Sequence, residues 1–383
     1  MNIIYTGLFA YPDSNANSLR VKGVVNLLES YGHNVTILPG LKSKIDINKI
    51  GSTEVVPVDE YSSGFLSGIN GVRGMFIGDN TLDYLEKMIK KPDVIILYGT
   101  ALGYLLRLLR FTKKYNIRLI LDVVEWYDPR HLPGGLFGPY AIANELSMRF
   151  FVKKTNGLIV ISEYLRKYYE DSNNKIILLP PLFSKVINVD FNRQKNDVLQ
   201  LCYVGTPGKK ENFIVFLDAL DFLYKNDYKF KINFVGVKRE EFISKYPKVK
   251  FINDKDYCFF HGRVSNEKAK QIISLSDFMF VFRPNLRFAN AGFPSKVAES
   301  LSLATPVFCN NFSDISKYVT DGYNGIVVER LETNSLIEKL KWVFSISNQS
   351  YSVMRKNAYS SYEKNFNQTA YLEKMEIFLK GVC

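Results

Sequence analysis

Short apolar runs recur along the chain, each bounded by glycine, proline or polar residues. The stretches between them carry apolar residues at helical spacing. "NIIYTG" (2–7), "NVTILP" (34–39), "DVIILY" (93–98), "RLILDV" (118–123) and "GLIVIS" (157–162) predict strands. The last three are continuous and rich in Ile, Leu and Val, the pattern of strands covered on both faces. Residues 18–31, with Leu19, Val24, Leu27 and Leu28, predict a helix after the first strand. Such alternation predicts the α/β class with a doubly wound parallel sheet. A second run starts near residue 198, with strands over 198–205, 230–236, 277–282, 305–310 and 325–329 and helices near 212–224, 265–275 and 295–303. Residues 179–197, with two prolines and polar clusters, separate the runs, and 186–197 reads as a linker. Two similar domains follow, 1–185 and 198–362, with a cleft expected between them. Three further helical stretches, 332–346, 350–362 and 367–381, close the chain, and 363–383 is expected to pack back on the first domain.

The length of 383 residues agrees with two cores. The N-terminus lacks a basic segment followed by an apolar run, so no signal peptide is expected, and no stretch has the roughly 18 apolar residues of a membrane span. Cys202, Cys258, Cys309 and Cys383 have no metal-ligand spacing and read as reduced thiols in the cytoplasm. The net charge of +12 changes the picture, because it implies an anionic partner. Nucleic acid is not expected, since no helix-turn-helix, zinc-finger or RNP signature is present.

In open parallel sheets, ligands bind beyond the carboxyl ends of the strands. The loops there hold "GTPGKKEN" (205–212) with Lys209 and Lys210, "FHGRV" (260–264) with Arg263, and then Arg283 and Arg287. A helix is predicted to start near Ser295, and its N-terminus offers free N–H groups and a positive dipole end that suit phosphate. Glu299 lies one turn above Ser295 on the same face, placed to accept hydrogen bonds from a ribose diol. The set suggests a nucleoside diphosphate ligand. "DKD" (254–256) spells a metal-binding Asp-x-Asp, but a three-residue match is common by chance, and no metal is expected. With only three histidines and no Gly-x-Ser-x-Gly, a serine-hydrolase triad has little support.

"AGFPSKVAE", "SLATPVF", "VTDGYNGIVVE" and "YVGTPGKKENF" together resemble the retaining family 4 glycosyltransferases. That resemblance covers most of 198–330 and extends more loosely to "GLFAYPDSNANSLRVKGVVNLLESYGHNVTIL". It implies the GT-B fold, two Rossmann-like domains facing across a cleft, and sugar transfer from a nucleotide donor, UDP- or GDP-linked, without a cofactor. By resemblance Glu299 holds ribose, the Ser295 and Lys296 amides bind diphosphate, Lys210 offsets its charge, and the Gly292-Phe293-Pro294 turn adjoins the donor sugar. Lys209 and Arg263 would add positive charge to the leaving group, with Lys210 and Arg263 acting in catalysis. The family's first Glu is replaced by Ala291. That departure motivates one alternative, a catalytically inactive nucleotide-binding subunit; a GT-B nucleotide-sugar epimerase is another.

The first domain is expected to take the acceptor, a saccharide or lipid-linked saccharide of bacterial surface polysaccharide or glycolipid synthesis. Gly7 would let a ligand approach the backbone. In "LDVVEWYDPRHLPGG" (121–135), Glu125 is the catalytic candidate, Trp126 could stack on a sugar, and Asp128 and His131 are further candidates. Residues 100–118, 148–157 and 164–170 mix aromatic or leucine side chains with Arg and Lys. They read either as solvated helix faces or as contacts with the anionic inner face of a membrane.

Overall fold

The computed structural model describes residues 1–12, 15–43, 49–61, 77–172, 174–185, 189–208, 210–247 and 249–383. The chain forms two compact units. The first holds Met1–Leu182, Asn290–Phe293 and Gln368–Cys383; the second holds Phe183–Ala289 and Pro294–Asn367.

In the first unit the described strands are β1 (Asn2–Gly7), β2 (Asn34–Pro39), β3 (Lys49–Ile50), β4 (Thr53–Val55), β5 (Val94–Tyr98), β6 (Arg118–Val123), β7 (Gly157–Val160) and β8 (Lys175–Leu178). Their order is β3-β4-β2-β1-β5-β6-β7-β8. All neighbours are parallel except β3 and β4, and Tyr5 of β1 stands level with Ile37 on one side and Ile96 on the other. The order therefore reverses between β1 and β5. The apolar faces of helix Ala16–Glu29 and of helix Leu372–Val382, through Met375, Phe378, Leu379 and Val382, share one core with β1, β2 and β5.

One ion pair is built into this core. Arg20 meets Asp122 of β6 in a fork, Nε to Oδ2 at 3.0 Å and Nη2 to Oδ1 at 2.8 Å. Its Nη1 donates to the carbonyls of Leu179 and Pro180, and Tyr5 donates its hydroxyl to Asp122 Oδ2 at 2.6 Å. Arg20 is 5 % exposed and Asp122 is sealed. Two desolvated charges persist here because nearly every lone pair and proton has a partner.

In the second unit the strands are β9 (Leu199–Val204), β10 (Phe230–Val235), β11 (Cys258–Gly262), β12 (Phe278–Val281), β13 (Val307–Asn310) and β14 (Gly325–Val328). They lie all parallel in the order β11-β10-β9-β12-β13-β14, with the reversal between β9 and β12. Phenylalanines fill this core. Phe216 stands 4.7 Å from both Phe280 and Phe282, and Phe213, Phe234, Phe242 and Phe308 pack around them.

The predicted linker is not a free tether over its described part, 189–197. Arg193 pairs with Asp277 at 3.0 Å, Asn196 donates to the same carboxylate, and Lys195 Nζ donates to the carbonyls of Val343, Phe344 and Ile346. These bonds bind the segment to the second unit, because the side chains satisfy carbonyls at a helix C-terminus.

Candidate nucleotide site

The reversal between β9 and β12 is where an open α/β sheet leaves a crevice. Gly205 follows β9 with φ of +128°, and a Cβ there would lie 2.8 Å from Cε and Nζ of Lys296. The positive φ favours glycine at this position, and its bare side is where that lysine crosses the strand end. Lys296, the second residue of helix Ser295–Ser302, donates from Nζ to the Tyr203 hydroxyl at 2.6 Å and lies 4.0 Å from its ring centre.

Glu211 sits among the cations. Its side chain is 6 % exposed, with Oε1 3.4 Å from Arg283 Nη2 and 3.6 Å from Lys296 Nζ, while Oε2 accepts from the Gly208 amide at 3.0 Å. Burial pushes the Glu211 carboxyl up, but Lys296, Arg283 and the Gly208 amide outweigh it and hold it below its ordinary value. Burial pushes Lys210 down to about 8, helped by the like charge of Arg283 and opposed by Glu211. Burial likewise pushes Lys296 down to about 8, with Glu211 opposing. Arg283 is fixed through its backbone, which exchanges hydrogen bonds with the Asn310 side chain, and its Nε is buried without a hydrogen-bond partner among the described residues.

Lys210, Arg283 and Lys296 thus gather near Glu211, with an unsatisfied guanidinium N–H on Arg283 among the described residues. The first amides of helix Ser295–Ser302 have no intrahelical partner, and its N-cap, Pro294, contributes no side-chain bond. Glu299, one turn on, is 8 % exposed. Burial raises its carboxyl, and Lys270 and Lys296 partly offset the rise. Lys210, Arg283, Glu211, Lys296 and Glu299 form one electrostatic chain. The arrangement suits a diphosphate at the cations and a hydrogen-bonding hydroxyl pair at Glu299.

The structure rearranges the other sequence expectations. Arg263 is exposed, follows the edge strand β11, and lies two strands from β9; Arg283 is the arginine beside Glu211. Lys209 lies outside the described residues. Gly292 and Phe293 are buried and group with the first unit, as does Ala291, whose carbonyl accepts from Ser162 Oγ at 2.9 Å; Pro294 is buried at the helix start. Asp254 of "DKD" accepts from the Asp256 amide and the Tyr224 hydroxyl, so it shapes a turn. Glu211 and Tyr203 were missed. In sequence Glu211 follows two lysines in a polar loop and reads as their solvated counter-charge.

In the first unit, Gly7 has a different reason from the expected one. A Cβ there would lie 2.6 Å from the Tyr98 carbonyl, so the glycine admits β5 rather than a ligand. Trp126 is 1 % exposed, covered by Tyr168 edge-on at 4.8 Å and by Arg149 at 5.4 Å, and donates from Nε1 to Glu145 at 2.9 Å. It has no face left for a sugar. Arg130 holds the Asp128 carboxyl down at about 2, and His131 ends the short turn Pro129–His131. Glu125 alone of these lines a cavity of about 230 Å³ at the carboxyl ends of β1, β5 and β6, with Tyr98, Tyr127, Tyr140 and Asn144. Among the described residues Asn144 Nδ2 is buried there without a hydrogen-bond partner. Among the described residues no cluster of three or more His, Cys, Asp or Glu is arranged to hold a metal, and no helix is long and apolar enough to cross a membrane.

Comparison with known proteins supports the fold. The chain is similar over 99 % of its length to sucrose-phosphate synthase of Thermosynechococcus elongatus, at 13 % identity, 98 % coverage of that chain and a TM-score of 0.70. It is similar over 99 % to Anabaena HepE in complex with UDP and glucose, at 13 % identity, 99 % coverage and a TM-score of 0.68. The fold is GT-B. Residues 187–361 match the family model "Glycosyl transferases group 1", a match that falls almost entirely in the second unit. An uncharacterized glycosyltransferase of Methanocaldococcus jannaschii, MJ1178, is 22 % identical over 207 residues, 52 % of this chain; the match spans about half that relative's length.

The two perturbed lysines make a pH prediction. In the folded protein both titrate near 8 instead of 10.5, so between these values the unfolded chain binds more protons. The ligand-free protein therefore gains stability from these lysines as pH rises from about 8 towards 10. Nucleotide binding does the opposite, because loss of either ammonium weakens the phosphate contacts. Melting curves with and without nucleotide, from pH 7 to 9.5, should show the ligand-induced shift shrinking through about 8. A shift that grows with pH would remove Lys210 and Lys296 from the phosphate site.

Proposed function

We propose that the protein is a retaining glycosyltransferase. It moves a sugar from a UDP- or GDP-linked donor to a hydroxyl of a saccharide or lipid-linked saccharide, in bacterial surface polysaccharide or glycolipid synthesis at the cytoplasmic face of the membrane. The observation that carries this is the cluster of Lys210, Arg283 and Lys296 around one carboxylate at the β9/β12 reversal, with Glu299 a turn above. The match to glycosyl transferases group 1 and the UDP-bound relative support it.

In the reaction the bond from the anomeric carbon to the diphosphate oxygen breaks with its electron pair going to the diphosphate, and the acceptor oxygen bonds to that carbon on the face the diphosphate leaves while its proton passes to the diphosphate. The barrier lies largely in charge arriving on the diphosphate. Fixed cations in a dry pocket meet that charge without reorganising, and a removed donor of this kind costs about 2.7–4 kcal/mol. These cations supply the electrostatic work without a metal. Glu299 positions the ribose and the Gly292-Phe293-Pro294 turn adjoins the donor sugar. The cavity at Glu125 has room for about one sugar ring, with a carboxylate and the unsatisfied Asn144 amide to receive hydroxyls.

A panel of UDP, GDP, ADP and CMP tests the reading. One nucleoside diphosphate should raise the melting temperature, by the equivalent of about 2.7 kcal/mol at a hundredfold excess over Kd. The matching nucleotide sugar should then be slowly hydrolysed. No response to any of the four would overturn the assignment. Binding without hydrolysis or transfer would favour the inactive subunit, the reading that Ala291 motivates.

A further inference from the structure

Single exposed apolar side chains are ordinary on a protein surface, whereas a contiguous set marks an interaction site. Five large ones fall within fifteen residues of the first unit: Leu136, Phe137, Ile142, Leu146 and Phe150. Phe137 is 90 % exposed and Phe150 58 %. Ile142, Leu146 and Phe150 recur at four-residue spacing along one helical run, Pro139–Leu146 continuing through Ser147–Phe151 to Lys154. That spacing puts them on one side of the run.

A cationic groove adjoins the same run. It measures about 510 Å³ and lies between this run and the helix Leu102–Tyr115, with Arg110, Lys113, Arg118 and Lys154 on its rim and Leu106, Leu109, Ile117 and Phe151 in its wall. Residues 100–118 and 146–162 contain no acid at all. The nearest carboxylates are already engaged: Glu145 pairs with Arg149 and Glu86 with Lys114. Arg149, Lys153 and Lys154 are exposed beside the apolar stripe.

We propose that this face docks the protein on an anionic lipid surface. Phe137, Ile142, Leu146 and Phe150 enter the headgroup–acyl boundary, and Arg110, Lys113, Arg118 and Lys154 receive lipid phosphates. The charge selects the occupant. An apolar stripe alone would suit any oily partner, but a stripe bordered by Arg149, Lys153 and Lys154, with Glu145 already paired to Arg149, matches an interface that is apolar within and negative at its rim. The proposal gives the membrane location of the proposed function a specific surface, and it needs no donor chemistry.

Vesicle flotation of the full chain tests it. One set of vesicles is pure phosphatidylcholine; the other carries roughly a third phosphatidylglycerol. The protein should float with the anionic vesicles and be released by high salt. The double variant Phe137→Ser/Phe150→Ser should lose roughly tenfold in partition or more. Each of Arg110→Glu, Lys113→Glu and Lys154→Glu should lose roughly fivefold or more. All variants must keep the parent melting temperature and nucleotide-induced shift; a variant that does not is replaced by Phe137→Ser alone, which is almost fully exposed. Equal partition onto both vesicles, no flotation, or flotation unchanged in the variants would overturn the proposal. So would concentration-dependent self-association abolished by Phe137→Ser without lipid binding, which would assign the face to a second copy. Because flotation is read without donor, its failure leaves the nucleotide measurements standing.

Discussion

Lys296→Met is expected to weaken nucleoside diphosphate binding by about two orders of magnitude and to cut transfer by about 10²–10³-fold. The side chain is 18 % exposed, its ammonium stands 3.6 Å from Glu211, and its backbone opens the helix at the site. Methionine keeps the stem that crosses Gly205 and removes the ammonium, with its charge and its hydrogen bond to Tyr203. Two losses then add. The phosphate loses a charge-assisted donor, worth about 1.5–3 kcal/mol, and Glu211 keeps a negative charge with one fewer partner, which repels the incoming anion. Isothermal titration with the preferred nucleotide measures the first, and donor turnover the second. The comparison variant is Arg263→Met. Its guanidinium is exposed at the edge strand, so its loss should be clearly smaller. Equal losses in the two variants would mean that phosphate binds nearer β11 than the β9/β12 reversal.

Asp122→Ala is expected to destabilise the first unit by about 3–5 kcal/mol, since it leaves Arg20 buried and charged without a counter-ion. Stabilities of whole domains are about 5–15 kcal/mol, so this single change removes a large share. Urea unfolding should show a lower midpoint with little change in slope. Asp122→Asn, which keeps an acceptor for one guanidinium N–H and for Tyr5, should fall between the two. If alanine costs less than about 1 kcal/mol, the pair is not the anchor that its burial indicates.

The sequence shows most of this fold because burial on both faces writes continuous apolar runs. β1, β2 and β6 match their predicted bounds, β7, β12 and β13 are sealed, and β5 is sealed up to Tyr98. The strands it hides are those at the margins. β11 alternates between covered and exposed positions over five residues and ends in "HG", while β8 is a short edge strand beside two prolines. The site is legible to the same degree. Lys210, Lys296 and Glu299 follow from the rule that ligands lie beyond strand ends. Glu211 does not, because nothing in "GKKEN" tells a buried acid from a solvated one. Arg263 and Arg283 stand after different strands with equal claims in sequence, and only the strand order separates them. Trp126 shows the opposite error, a large aromatic in a polar loop that the fold spends on packing.

Glu211 also bears on how the protein lets go of what it binds. A pocket of bare ammonium and guanidinium groups, cut off from water, would hold spent nucleotide until something as negative replaced it. Here the replacement is tethered in place, within 3.6 Å of both Lys296 and Arg283. On the proposed function, each departing diphosphate would return Lys296 and Arg283 to a partner that never diffuses away.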